Sequence, residues 1–140
     1  MHKLLISFVL GMFMQQAAAS VTTQVFVSFS MPELLLEQIL SESARYHIPA
    51  VINGLIENSM PKTIQRIEAL SKAVPNLNLQ IDPTAFERFS IQQVPALVVD
   101  NGHDFDVLYG NLSLSEGLMR IAGHGDSGLS AIDARRIIGG

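Results

Sequence analysis

The chain has 140 residues, of which 48% are apolar and 16% are charged. This composition supports a folded core and excludes a disordered chain. The formal net charge is -4, and only 9 residues are Lys or Arg. The sequence therefore lacks the basic surface that nucleic acids or anionic membranes require. It contains no cysteine, which excludes thiol catalysis and thiolate metal sites.

Residues 1–19 have the pattern of a cleaved export signal. Lys3 supplies positive charge, residues 4–14 are apolar, and residues 17–19 are three alanines, so we expect cleavage just before Ser20. The alternative is a transmembrane anchor, but the apolar run would form only about 16 Å of helix, roughly half of a bilayer core. The pattern predicts export to the periplasm, without stable membrane insertion after cleavage.

Signals for strands and helices alternate along the rest of the chain. Runs of β-branched and aromatic residues indicate strands, and apolar residues with helical spacing indicate helices. The predicted strands cover residues 24–29, 47–54, 77–81, 96–100 and 105–109, and the predicted helices cover about residues 31–46, 60–74, 83–89 and 114–121.

Helix starts are marked by short polar side chains that can accept hydrogen bonds from backbone N–H groups. Ser30 with Glu33 and Ser113 with Glu116 have the spacing of a capping box, and Ser59 is a predicted N-cap. On the second helix, the spacing predicts one buried face formed by Ile64, Ile67, Leu70 and Val74.

The order of these elements predicts an α/β fold. Alternating strands and helices give parallel pairing, and the hairpin at Asn101–Gly102 adds antiparallel strands. We expect a central mixed sheet flanked by helices in one domain over residues 20–122. Residues 123–140 are rich in glycine and are predicted to be a loosely ordered tail.

The element order resembles that of thioredoxin-like proteins. Residues 31–34, with the sequence MPEL, occupy the strand-to-helix junction where redox members of that fold carry Cys-x-x-Cys. Val94-Pro95, just before a predicted strand, resembles the cis-proline of the same fold, so we expect this bond to be cis. The resemblance implies a thioredoxin-like domain, and the absence of cysteine predicts that it performs no redox chemistry.

A more specific resemblance covers about residues 24–120. The segments VFVSFSMP, IPAVINGL, IDPTAFERF and VPALVV resemble the TrbC family of pilus assembly proteins from F-type conjugative transfer systems. The resemblance implies a non-enzymatic, periplasmic role in building the conjugative pilus of a type IV secretion system. It also implies association with the companion assembly protein TraW and other periplasmic assembly components, and it implies no cofactor.

The predicted partner-binding residues are Ser30, Met31, Pro32, Val94 and Pro95, on the two walls of a groove. Met31 is expected to be partly exposed there, because methionine is a flexible contact residue. The alternative is that Met31 fills the space left by a lost active site.

No catalytic or metal-binding residue is predicted. Ser28, Ser30 and Glu33 are the only polar side chains expected near the groove, and no histidine is expected there to activate a serine. The histidines also lack the spacing of a metal site. Two functions remain open: an assembly factor that binds specific partners, and a thiol-independent chaperone for pilin or secretion subunits.

Overall fold

A computed structural model describes residues 20–139, so the predicted export signal lies outside the described part of the chain. Strands and helices alternate in the predicted order, with an additional C-terminal helix. The strands are β1 (Thr22–Phe26), β2 (Ala50–Ile52), β3 (Leu79–Ile81), β4 (Ala96–Asp100) and β5 (Phe105–Tyr109), and the helices are α1 (Glu33–Arg45), α2 (Met60–Ala73), α3 (Pro83–Arg88), α4 (Leu114–Ile121) and α5 (Ala131–Gly139).

The strands form one mixed sheet in the order β3-β2-β1-β4-β5. β1 is central and pairs parallel with β2 and antiparallel with β4, and β3 and β5 form the two edges. Helices flank both faces of the sheet. The predicted α/β, thioredoxin-like arrangement is therefore confirmed.

The two faces of the sheet are covered unequally. One face packs against α1, α2, α4 and α5, through residues such as Leu36, Leu70 and Leu118. The other face packs against the short helix α3, where Phe26 meets Phe86 edge to face with ring centroids 4.8 Å apart. Four helices therefore cover one face, whereas one short helix covers the other.

Two predicted strands are shorter than their apolar runs suggest. β1 stops at Phe26, because its antiparallel partner β4 begins at Ala96, immediately after a cis Val94–Pro95 peptide bond. The cis conformation was predicted. β2 is only three residues long, because the preceding His47 has a φ of 54° and belongs to the exit of α1.

Two of the three predicted helix N-caps are confirmed. Ser59 accepts a hydrogen bond from Lys62 N–H at 3.3 Å, and Ser113 accepts one from Glu116 N–H at 3.2 Å, as predicted. Ser30 does not cap α1, which starts later, with Pro32 at its N-cap position. The Ser30 hydroxyl instead lies 2.8 Å from the hydroxyl of Ser28.

The predicted buried face of α2 is wrong at one position. Leu70 and Val74 are buried, and the helix also buries Thr63, whereas the side chain of Ile64 is 47% exposed. Thr63 takes the inner position because its hydroxyl has two backbone partners, the carbonyl of Ser59 at 2.7 Å and the amide of Ile56 at 2.9 Å. A polar residue with satisfied hydrogen bonds can replace an apolar one in a core.

Residues 123–139 are not a loose tail. They contain helix α5, and Leu129 and Ala134 are buried in the same core as α1 and α4. Asp106 of β5 accepts hydrogen bonds from the amides of Asp126 and Ser127 at 2.8 and 2.9 Å. The prediction was based on glycine content. It was wrong because local composition does not reveal these long-range contacts.

Candidate functional site

An open groove of about 650 Å³ lies at the carboxyl ends of β1 and β2. One wall follows β1, a second is the loop between β2 and α2, and the third precedes β4. The lining residues are Val27, Ser28, Phe29, Ile52, Asn53, Gly54, Leu55, Ile56, Asn58, Phe86, Ile91, Gln92, Gln93 and Val94.

The groove combines apolar and uncharged polar groups. Phe29, Leu55 and Ile91 supply apolar surface, while the amides of Asn53 and Gln92 offer both donors and acceptors. No charged side chain from residues 20–139 lines it. Such a surface suits an uncharged occupant, since a buried charge without a partner is costly.

The loop between β2 and α2 is held in place by contacts with the first turn of α2. Glu57 and Asn58 have φ values of 48° and 54°, so the loop makes a tight left-handed turn. The amide of Ile56 donates to the Thr63 hydroxyl at 2.9 Å, and Glu57 forms an ion pair with Lys62. These contacts give this wall a defined shape without an occupant.

The third wall is the segment between α3 and β4. The amide of Ile91 donates to the carbonyl of Phe86 at 2.9 Å, which turns the chain toward the groove. Gln92 and Gln93 are exposed. Within residues 20–139, neither the N–H nor the C=O of Val94 makes a hydrogen bond. This wall therefore offers both side-chain amides and a backbone donor and acceptor.

The structure brings only one of the five predicted site residues into this groove. Val94 lines it, whereas Pro95 is buried behind it. Ser30, Met31 and Pro32 do not line it, although Ser30 and Pro32 are exposed nearby along the chain.

Met31 is buried, with 9% of its surface exposed, and packs in the core with Leu36. The expectation that Met31 is partly exposed was wrong. Its position agrees with the alternative, in which its side chain fills the space left by a lost active site. The amide of Met31 donates to the carbonyl of Ser28 at 3.2 Å, and its sulfur lies 3.4 Å from the Ser28 amide. This turn directs the side chain inward.

Ionic contacts lie beside the groove. Arg66 of α2 forms an ion pair with Glu33 at the start of α1, and its guanidinium lies 5.9 Å from the ring centroid of Phe29. The hydrogen bond from Arg66 lowers the pKa of Glu33, against a smaller opposing effect of desolvation. The pair joins the two helices and keeps its charges out of the groove.

Histidine and carboxylate side chains are dispersed over the described part of the chain. Among residues 20–139, no three His, Asp or Glu side chains are grouped so that they could hold a metal ion. His47, His103 and His124 are exposed, and none lines the groove.

Sequence reasoning missed most of the groove, in particular Asn53, Leu55, Asn58, Gln92 and Gln93. A usable signal was present for the first three, because they lie in the loop that follows strand β2. Carboxyl ends of neighbouring parallel strands share one edge of the sheet, where α/β proteins place their ligands. The two glutamines had no comparable signal, since their position depends on the turn after α3.

A family model described as "Type-F conjugative transfer system pilin assembly protein" matches residues 25–121. The chain belongs to this family. The matched region begins within β1 and ends with the last residue of α4, so it includes the groove and all of the sheet except the first three residues of β1, but it stops before α5.

A curated relative gives the same result. The protein named "Periplasmic protein TrbC" from Escherichia coli (strain K12) is 39% identical over 101 residues, which are 72% of this chain and 48% of the relative. The chain therefore spans about half the length of this relative. No solved structure matches the chain. In residues 20–139, every helix is too short or too polar to span a bilayer.

Proposed function

We propose that this type-F pilin assembly protein is a non-enzymatic periplasmic assembly factor, and that its groove binds a segment of another pilus assembly component. The family match supports the role in assembly, and the name of the curated relative supports the periplasm. The resemblance of the sequence to the TrbC family implies a TraW-like protein as the partner. The neutral, amide-lined groove is the observation that carries this proposal.

The groove has the chemistry of a peptide site. An extended segment carries one amide donor and one carbonyl acceptor on each residue, and it can pair with an exposed backbone as an added strand. Among residues 20–139, the N–H and C=O of Val94 have no hydrogen-bond partner, so both can pair with the segment, and Asn53, Gln92 and Gln93 add side-chain partners around them. Apolar side chains of the segment would contact Phe29 and Leu55.

The same groups argue against catalysis. A serine nucleophile requires an adjacent base. Within the described residues, the hydroxyl of Ser28 forms a side-chain hydrogen bond only with the hydroxyl of Ser30, at 2.8 Å. No histidine or carboxylate from the described part of the chain lines the groove. Binding therefore explains the available groups better than bond cleavage does.

A charge placed in the groove tests the proposal. Gln92→Arg and Asn53→Arg each introduce a guanidinium that an uncharged segment would have to desolvate. We expect affinity for a TraW-like partner to fall about tenfold or more, with unchanged thermal unfolding. Gln65→Arg is the matched control, because Gln65 is exposed on α2 and lies outside the groove.

Binding is measured by titration calorimetry with the purified partner, and function by restoration of pili in cells that lack the wild-type protein. Equal affinity of all three variants would place the partner elsewhere. If the wild type shows no stoichiometric complex but suppresses aggregation of many unfolded proteins, the chaperone alternative is correct.

A further inference from the structure

Strand β3 forms an open edge of the sheet. The carbonyl of Asn78 accepts from the Ala50 amide at 2.9 Å, and the amide of Asp82 donates to the Ile52 carbonyl at 3.0 Å. Backbone groups alternate in direction along a strand. Those of residues 78, 80 and 82 therefore face β2, and those of Leu79 and Ile81 point away from the sheet.

The side chains of this edge do not prevent further pairing. Proteins protect edge strands by keeping them short, or with lysine, proline, bulges or a covering element. β3 is short, with three residues, but within residues 20–139 no further strand pairs with it. Residues 77–81 read LNLQI and contain neither a charge nor a proline. Ile81 is also 39% exposed. The segment offers two donors and two acceptors to an extended backbone.

An exposed apolar stripe on α2 lies on the side facing this edge. Met60 is 49% exposed and Ile64 is 47% exposed. At 100° per residue, both lie on the side of α2 opposite to Arg66, which pairs with Glu33 of α1. Because α1 and α2 cover the same sheet face, the stripe faces away from α1 and toward the β3 edge.

We propose that two copies of this chain associate through β3, antiparallel and about a two-fold axis at Gln80. In this register Leu79 of each copy lies opposite Ile81 of the other. Both residues present their backbone groups outward, so the pairing forms four hydrogen bonds. Gln80, whose groups face β2, then forms the closely spaced pair at the axis.

A second copy suits this surface better than an unrelated strand, because the surface is self-complementary. In the proposed register, each copy supplies the donors and acceptors that the other copy needs. The two α2 helices would lie on the same face of the joined sheet, on either side of the axis. Met60 and Ile64 of each copy would be buried against their equivalents.

Charge also permits this pairing. The proposed register places Asp82 opposite Asn78, so no carboxylate faces another. The other edge strand, β5, is less suited, because it carries Asp106 and follows Asp104 directly. A symmetric pairing there would bring acidic groups of both copies together.

The absence of cysteine from the chain allows a direct test. Gln80→Cys places one thiol at the proposed axis, where Cα atoms of a closely spaced antiparallel pair are about 4.5 Å apart and permit a disulfide. We expect mild oxidation of the full chain, expressed from Met1, to give a covalent dimer. Gln65→Cys, exposed on the outer side of α2, is the control and should remain largely monomeric.

Sedimentation equilibrium of variants gives an independent measurement. Ile64→Lys should raise the dissociation constant of the dimer about tenfold or more, since it puts a charge into the helix contact. Ile132→Lys is the matched control, because Ile132 is 67% exposed on α5, and it should leave the constant unchanged. A wild type that stays monomeric at millimolar concentration, or a dimer insensitive to Ile64→Lys without cross-linking at residue 80, would overturn the proposal.

Discussion

The start of α1 and the segment between α4 and α5 are both chain reversals packed onto the sheet, but they are held by opposite means. At the first, Met31 inserts an apolar side chain into the core. At the second, the carboxylate of Asp106 accepts hydrogen bonds from two consecutive backbone amides. One attachment depends on burial and the other on charge.

This difference determines how each attachment responds to solution conditions. Burial of an apolar side chain does not depend on pH. The hydrogen bonds that a carboxylate accepts become weaker when the carboxylate is protonated. Burial raises the pKa of Asp106, but the hydrogen bonds from Ser127 and Asp126 outweigh it and lower the pKa below the ordinary value of 3.8.

The largest effect is expected from Met31→Asp. This change buries an unpaired carboxylate, which should lower the free energy of unfolding by about 3 kcal/mol or more. Met31→Leu keeps the volume and should cost less than about 1.5 kcal/mol. Urea denaturation followed by circular dichroism measures both. If Met31→Asp unfolds at the same urea concentration as the wild type, Met31 does not fill the junction in solution.

Asp106→Asn should have an intermediate effect, a loss of about 1–2 kcal/mol. Each carboxylate oxygen accepts from one backbone amide, whereas asparagine has a single, neutral acceptor oxygen, so one of the two hydrogen bonds is lost and the other is weaker. The matched control is Asp104→Asn, in the exposed hairpin loop, which should be within about 0.5 kcal/mol of the wild type. Urea midpoints at pH 7 compare the two variants. Hydrogen exchange should also show faster exchange in α5 of Asp106→Asn.

The pH dependence of the stability lost in Asp106→Asn distinguishes an effect of the carboxylate charge from an effect on packing. Because the pKa of Asp106 is lower in the folded state than in the unfolded state, its contribution is complete above the ordinary value near 3.8. The contribution is lost as the pH falls through the lowered, folded-state value. The stability difference between the wild type and Asp106→Asn should therefore shrink below pH 4. A constant difference would mean that the substitution acts through packing.

These two attachments also show what the sequence can and cannot predict. Element order, the strands β4 and β5, and the cap at Ser59 follow from local patterns, since periodicity and capping act over a few residues. Whether Met31 points inward depends on a turn closed by Ser28, and the order of residues 123–139 depends on an aspartate in a distant strand. Local composition contains neither contact.

The groove residues also divide into those that a local sequence pattern predicts and those that it does not. Val94 was predicted because its neighbour, Pro95, carries a recognisable signal of its own. Gln92 and Gln93 reach the groove only through the turn that follows α3, where Ser90 has a φ of 52°. A left-handed residue of this kind is not marked by glycine or asparagine here, so the turn could not be placed from sequence.

The smallest effect is expected at Ser30, and it tests the incorrectly predicted cap. Ser59→Ala removes a hydrogen bond to the Lys62 amide and should cost about 1 kcal/mol, the usual value for an N-cap. Ser30→Ala removes only an exposed contact with another hydroxyl, so its effect should stay within about 0.5 kcal/mol. Thermal unfolding of the two variants measures the comparison. Equal losses would indicate that Ser30 caps α1 in solution, which would start that helix earlier and place Met31 within its first turn.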